Sequence, residues 1–192
     1  MSIIELFLLA FGLSMDAFAV SICLGLNIEN NIMKKSMIIG LYFGIFQAVL
    51  PLIGFLTASL FTGKIVDYDH WIAFALLCFL GGKMIIGSQK KEGDCPPSGK
   101  QASIKPGQML PLALATSIDA LAIGISLAFL RASIIPSVIL IGITTLVISM
   151  VGVKIGNVFG SKFKSGAEFA GGLILILIGV KIVLEHLKII NF

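Results

Sequence analysis

The stretch LAFGLSMDAFAVSICLGL, residues 9–26, decides how this chain folds. It is apolar enough to cross a lipid bilayer as a helix, yet Asp16 lies near its middle. An ionised carboxylate at that depth costs roughly 3 kcal/mol or more, which makes Asp16 a candidate functional residue. A second such stretch, LALATSIDALAIGISLAF at 112–129, carries Asp119 where the first carries Asp16. Two matching acids in matching segments suggest the two halves of one site.

The composition is that of an integral membrane protein. Of the 192 residues, 57% are hydrophobic and only 12% are charged, whereas a soluble domain is usually about a quarter charged. Because each helical span needs about 20 apolar residues, the chain has room for about six spans. Helices are expected because lipid leaves every backbone polar group to be satisfied within the protein. The alternating ten-residue pattern of a membrane β-barrel does not occur in the sequence.

We therefore predict an all-α membrane protein with six transmembrane helices. The predicted spans are residues 3–26, 36–61, 71–87, 107–130, 133–160 and 167–187. The polar segment between the third and fourth spans is basic and rich in Pro and Gly, which is typical of a linker. The chain is thus divided into a three-helix unit at 1–88, a cytoplasmic linker at 89–106 and a second three-helix unit at 107–192.

The two units match in order along all three spans. Outside the aspartate segments, the matched pairs are Gly44 with Gly142, Gln47 with Thr145, Gly54 with Gly152, and Lys83 with Lys181. Three spans per unit is an odd number, so the second unit must enter the membrane from the opposite side. We therefore predict two inverted three-helix repeats, an arrangement found in many secondary transporters.

The distribution of basic residues predicts the orientation, because cytoplasmic loops carry an excess of Lys and Arg. Eight of these residues flank the spans on one side and three on the other, so the first side is placed in the cytoplasm. The eight are Lys34, Lys35, Lys90, Lys91, Lys100, Lys105, Lys162 and Lys164, and the three are Lys64, Arg131 and Lys188. Both termini are then expected outside the cytoplasm.

Two carboxylates facing each other inside a membrane are suited to a divalent cation, which neutralises both charges at once. The candidate metal ligands are Asp16, Asp119, Gln47, Ser14, Ser117 and Thr145, with Thr144 as an alternative to Thr145. Such an all-oxygen set favours Mg, Ca or Mn over Zn or Cu. On a regular helix Ser14 and Ser117 point away from the aspartates, so they can join the site only where the helix is broken. Otherwise their hydroxyls are expected to bond to their own helix backbone.

Lys83 and Lys181 occupy equivalent places in the two units and are candidate counter-charges. Each side chain can extend to the nearest membrane surface. Alternatively, one or both lie near an aspartate and take the place of the cation.

The sequence offers no support for an enzyme. It contains no P-loop, GxSxG, HExxH or dinucleotide-binding motif. We expect no cofactor and no nucleic-acid partner, and transport would depend on an ion gradient or on the gradient of the substrate itself.

Four motifs, taken in order, resemble a known family. They are SMDAFAVSI at 14–22, FGIFQAVLPLIG at 43–54, the stretch at 71–87, and ATSIDALAIG at 115–124. Together they resemble the bacterial manganese efflux pump family, part of the lysine-exporter superfamily. The resemblance implies a six-helix inner-membrane exporter of Mn(II) built from two repeats, with Asp16 and Asp119 as its membrane aspartates. The residues alone indicate only a hard divalent cation.

The resulting hypothesis is alternating access around a site at the middle of the membrane. Asp16 and Asp119 bind Mn(II) from the cytoplasm, the two units rock, and the ion leaves outward. Protons could then reload the carboxylates, which would make the protein an antiporter. The alternatives are an exporter of a cationic amino acid, an exporter of another divalent metal, and a non-transporting membrane scaffold in which the aspartates pair with Lys83 and Lys181.

Overall fold

The computed structural model describes residues 3–26, 28, 30–60, 69–88, 106–130, 132–159 and 164–186. Within these residues the secondary structure consists of six α-helices. They are α1 Ile3–Gly25, α2 Ile32–Ser59, α3 Asp69–Ser88, α4 Pro106–Phe129, α5 Ile134–Phe159 and α6 Lys164–His186. The prediction of an all-helical chain is confirmed for the described residues. Most of the predicted linker, residues 89–105, lies outside them.

Four of the six helices, α1, α2, α4 and α5, are long and apolar enough to cross a membrane. Within α3 and α6 the apolar stretches found among the described residues are shorter, at Phe74–Lys83 and Phe169–Leu184. α2 and α4 continue through Pro51 and Pro111. Proline is tolerated in membrane helices because neighbouring groups satisfy the backbone that it leaves unpaired.

The helices of the first half pack mainly against helices of the second half. α1 packs along α5, α2 packs along both α4 and α5, and α3 packs along α6. Additional contacts join α6 to α1 and, less extensively, α3 to α4. The two halves are therefore interleaved, and α1 and α4 each pack against helices of the other half.

α2 and α5 cross at two glycines, Gly44 and Gly142. A Cβ atom added to Gly44 would lie 2.8 Å from the carbonyl oxygen of Gly142, and one added to Gly142 would lie 3.1 Å from the carbonyl oxygen of Gly44. A larger residue at Gly44 would push the two backbones apart, whereas one at Gly142 would need its neighbours to move by a few tenths of an ångström. The crossing therefore depends most on glycine at position 44.

The outer faces of α2 and α5 are apolar. Their exposed large residues are Met33, Met37, Ile38, Leu41, Ile45, Val49, Ile53 and Leu56 on α2, and Ile135, Ile139, Ile143, Val147, Val151, Val158 and Phe159 on α5. The inner faces pack instead around fully buried residues such as Phe43, Ile123 and Ile141. Apolar residues on both faces are typical of a helix bundle surrounded by lipid.

The first prediction concerns the crossing of α2 and α5. Gly44→Ala places a methyl group against the Gly142 carbonyl, so we expect overpacking to cost about 1–3 kcal/mol and to lower the apparent melting temperature of the purified protein in detergent. The control is Gly82→Ala in α3, where an added Cβ meets no atom within 4 Å. Equal melting temperatures for the two variants would contradict this account of the crossing.

Candidate cation site

Asp119 lies in the middle of α4, and its side chain is only 7% exposed. Lys83 of α3 donates to both of its carboxylate oxygens, with Nζ 2.8 Å from Oδ1 and 3.0 Å from Oδ2. The Lys83 side chain is itself 55% exposed, so it reaches from the surface of the bundle toward a buried acid. A charged group inside a membrane protein needs such a partner, because an isolated charge is costly there.

Lys181 of α6, which matches Lys83 in the sequence, has a different partner. It forms an ion pair with Glu5, near the start of α1. Glu5 is eleven residues before Asp16 in the same helix. The sequence indicates no more than an acid near the start of α1. Its partner could not be identified, because that requires knowing how α6 is aligned along α1.

Gln47 links three helices at the level of the aspartates. Its side chain is completely buried, and its Nε2 donates to the backbone carbonyl of Leu13 in α1 at 3.2 Å. Ser117 of α4 donates through Oγ to Gln47 Oε1 at 2.8 Å. Leu13 is three residues before Asp16, and Ser117 is two residues before Asp119. The amide of Gln47 therefore holds the aspartate-bearing parts of α1 and α4 next to each other, with both of its polar groups satisfied.

The helices α1 and α4 continue without a break through Asp16 and Asp119, respectively. Ser14 accordingly donates to the carbonyl of Phe11 in its own helix at 2.8 Å, which is the alternative expected for a regular helix. Ser117 bonds to Gln47 instead. Neither hydroxyl is drawn toward an aspartate by a kink in its helix.

Thr145 of α5 matches Gln47 in the sequence but behaves differently. Its hydroxyl is buried and has no hydrogen-bond partner within the described part of the chain. The same is true of Ser149, one turn further along α5, and of Ser21 in α1. A Cβ built on Gly152, next on this face of α5, would lie 3.0 Å from that of Ser21. Ser21 thus lies at the contact between α1 and α5, and Thr145 and Ser149 precede Gly152 along α5. Of these three hydroxyls, sequence analysis identified only Thr145.

The potential metal ligands predicted on the aspartate-bearing segments and on Gln47 are oxygen atoms. Among the described residues, no group of three or more His, Cys, Asp and Glu is arranged to hold a metal ion. A cation here would have to combine aspartate oxygens with the Gln47 amide, hydroxyls, backbone carbonyls or water. Such mixed oxygen sets are typical of hard divalent cations and do not suit Zn or Cu.

Comparison with known proteins assigns the chain to a family. The family model described as "Putative manganese efflux pump" matches residues 30–183. The chain belongs to this family. It is 53% identical over 184 residues to "Putative manganese efflux pump MntP" of Desulfitobacterium hafniense, covering 96% of this chain and 95% of the relative. Proteins of the same name from Acetivibrio thermocellus and Mannheimia succiniciproducens are 48% and 50% identical, over 100% and 97% of this chain and 96% and 98% of theirs. No solved structure matches.

Membership of the manganese efflux pump family confirms the resemblance predicted from the four motifs. It also agrees with the four long apolar helices, and together these findings indicate a multi-pass membrane protein. The region matched by the family model begins at residue 30 and so does not include Asp16. The similarity to the relative from Acetivibrio thermocellus covers the whole chain and therefore includes α1.

The second prediction concerns the Gln47 bridge. Gln47→Leu keeps a similar volume but leaves Ser117 Oγ without its acceptor and removes the additional hydrogen bond to the Leu13 carbonyl. We therefore expect a loss of about 1–3 kcal/mol and a lower melting temperature in detergent. The control is Thr57→Val on the same helix, where an exposed hydroxyl bonds only to carbonyls of its own helix and the expected change is below about 0.5 kcal/mol. A melting temperature unchanged by Gln47→Leu would show that the bridge contributes nothing to stability.

Proposed function

We propose that this protein is a secondary transporter that exports Mn(II) from the cytoplasm across the inner membrane by alternating access. The observation that carries the proposal is the buried carboxylate of Asp119, neutralised by a lysine and held beside α1 by the Gln47 bridge. The named relatives supply the metal, since they are called manganese efflux pumps. The residues support the chemistry, because Mn(II) prefers oxygen ligands.

In this proposal Asp16 and Asp119 are the charged ligands of Mn(II). Gln47 holds their helices together and can offer its amide oxygen, and Thr145 can offer a buried hydroxyl. Ser14 and Ser117 are bonded to Phe11 and Gln47 in this state, so in this proposal they join the ligands only where their helices open during transport. Asp119 is engaged by Lys83 through both oxygens, so Mn(II) can bind it only as that ammonium group withdraws. Exchanging one positive charge for two also lets the cation satisfy a second carboxylate, Asp16.

An inverted repeat is supported by contacts that match between the halves. In the sequence, Gly54 corresponds to Gly152 and Phe18 corresponds to Leu121. A Cβ added to Gly152 would contact the carbonyl oxygen of Phe18. In the same way, a Cβ added to Gly54 would contact the carbonyl oxygen of Leu121. α1 packs on α5 as α4 packs on α2. At the α2–α5 crossing Gly44 meets its own match, Gly142. A two-fold axis through that crossing would generate this pattern, and the two orientations of such repeats would supply the two states of the transporter.

The proposal also includes the orientation of the protein in the membrane and the ion that drives transport. The excess of Lys and Arg places the linker in the cytoplasm and both termini outside. Protons are the proposed counter-ions, because a carboxylate that has released Mn(II) outside can return neutral when protonated. The chain itself carries no P-loop that could use ATP.

The ion pair of Lys83 with Asp119 also favours a second candidate function, a membrane scaffold in which the pair only stabilises the bundle. The two functions differ in one respect. In a scaffold, either single change, Lys83→Asp or Asp119→Lys, would lower the stability of the bundle, and combining the two would restore that stability. In a transporter, the exchanged pair would still lack Mn(II) transport, because the carboxylate has left α4.

The third prediction is measured as Mn(II) uptake into inside-out membrane vesicles, with and without a pH gradient. Asp16→Asn and Asp119→Asn each remove a charged ligand, so we expect uptake to fall by about tenfold or more, the loss that corresponds to at least 1.4 kcal/mol of binding. A pH gradient that is acidic inside should accelerate uptake by the unchanged protein. The control is Lys154→Gln, which removes an exposed charge from α5 and should leave uptake unchanged.

The proposal fails if both asparagine variants, present in the membrane at normal amounts, transport Mn(II) at the unchanged rate. Labelled lysine tested in the same vesicles distinguishes export of a cationic amino acid, and Cd(II) distinguishes another divalent metal. Uptake of either in preference to Mn(II) would replace the proposed substrate.

A further inference from the structure

The outer face of α2 carries a groove of about 200 Å³, whose accessible surface is entirely apolar. The residues that line it are Ile38, Leu41, Tyr42, Ile45 and Phe46. They are three or four residues apart, so they lie on one face of the helix and cover about 12 Å of its length. A groove of this shape and character fits a hydrocarbon chain.

Two aromatic rings form a wall of this groove. Tyr42 and Phe46 are half-buried and pack against the buried cluster that contains Ile39 and Phe43. The other three lining residues are exposed. Rings held by packing in this way need little reordering when a ligand enters the groove, and this lowers the cost of binding.

Two lysines lie on the same face of α2, near its start. Lys34 and Lys35 are four and three residues before Ile38, so they are about one helical turn from the groove. Lys34 is exposed and Lys35 is half-buried. Neither side chain has an ion-pair or hydrogen-bond partner among the residues that the structure describes. A pair of positive charges therefore lies at one end of an apolar groove.

The start of α2 adds to the attraction for an anion. Asn31 is the N-cap residue, and its side chain forms no capping hydrogen bond. The first turn of the helix contains no acidic residue. The first N–H groups of a helix have no partner within the helix, and both they and the helix dipole attract negative charge. These groups therefore act in the same direction as the two lysines.

The matching face of α5 differs from α2 in these features. In the alignment of the two halves, the two lysines correspond to Ala132 and Ser133, and both aromatic residues of the groove correspond to residues that are not aromatic. The exposed apolar character is kept, since Ile45 is 57% exposed and its match Ile143 is 58% exposed. Contact with lipid therefore requires only the apolar face, and the lysines and rings of α2 need a further explanation.

We propose that this face of α2 binds an anionic phospholipid of the surrounding bilayer. One acyl chain lies in the groove, and the phosphate accepts hydrogen bonds from Lys34, Lys35 and the first N–H groups of α2. Lysines beside a membrane helix attract anionic headgroups. A zwitterionic lipid binds less tightly, because its headgroup carries a positive charge that opposes the two lysines. The site does not depend on which substrate the protein transports.

Two other occupants fit this face less well. A second copy of the chain, related by a two-fold axis along the membrane normal, would bring its own Lys34 and Lys35 to the same depth. Like charges facing each other across an interface are unfavourable. A soluble phosphate would use the lysines but would leave the apolar groove uncovered. An anionic phospholipid matches both the charge and the groove.

Native mass spectrometry of the full chain in detergent tests the charge, with phosphatidylglycerol and phosphatidylcholine of the same acyl chains as probes. We expect the first phosphatidylglycerol to bind about tenfold more tightly than phosphatidylcholine. Lys34→Gln with Lys35→Gln should remove this preference, whereas Lys34→Arg with Lys35→Arg keeps both charges and should retain it. Equal affinity of the unchanged protein for the two lipids, or an undiminished preference in the glutamine variant, would overturn the inference.

The groove is tested separately by Ile45→Trp, whose ring would fill it, with Ile143→Trp as the control at the matching exposed position. We expect Ile45→Trp alone to weaken phosphatidylglycerol binding, by about tenfold, with both variants melting at the unchanged temperature in the absence of added lipid. Equal binding by the two variants would contradict a chain in the groove. Displacement of the lipid by glycerol 3-phosphate would assign the lysines to a soluble phosphate, and a lipid-independent dimer lost in Ile45→Trp would assign the face to a second copy. Either result would also overturn the inference.

Discussion

The central constraint in this protein is the cost of placing carboxylates inside a bundle of apolar helices. Asp119 is nearly fully buried in α4, and the charge of Lys83 offsets it through two hydrogen bonds. An unpaired charge at such a site would be strongly unfavourable. In the proposed function the same constraint makes a dication a suitable substrate, since it would neutralise both aspartates when the lysine withdraws. Binding and release would then be an exchange of positive charges around fixed acids.

The polar groups around the aspartates are divided unequally between the two halves. Gln47 donates to the Leu13 carbonyl through its amide nitrogen and accepts from Ser117 through its amide oxygen. Its match, Thr145, is too short to form a similar bridge, and its hydroxyl has no partner within the described residues. The first half thus contributes a hydrogen-bonded link between α1 and α4, while α5 of the second half carries the buried hydroxyls of Thr145 and Ser149, which have no partner among the described residues. An asymmetric site of this kind can present different ligands in the two states of a transport cycle.

The helices could be predicted from the sequence because the length and apolar character of a membrane span depend only on local composition. α2 begins at Ile32 and α6 at Lys164, a few residues before the predicted starts, since polar residues can extend a helix beyond the lipid. The aspartates and lysines could also be named as candidates, because charge is rare inside such spans. The pairing of Lys181 with Glu5 could not, since it depends on the alignment of α6 along α1. The unpartnered Ser21 and Ser149 were missed because burial of a hydroxyl depends on the helix that faces it.

The claim on which the account depends is that Mn(II) and Lys83 compete for Asp119. Electron paramagnetic resonance measures this directly, because the six-line signal of free Mn(II) is lost when the ion binds to purified protein. The account predicts that Lys83→Gln binds Mn(II) more tightly than the unchanged protein and that Asp119→Asn binds it weakly or not at all. Equal binding by all three proteins would contradict it.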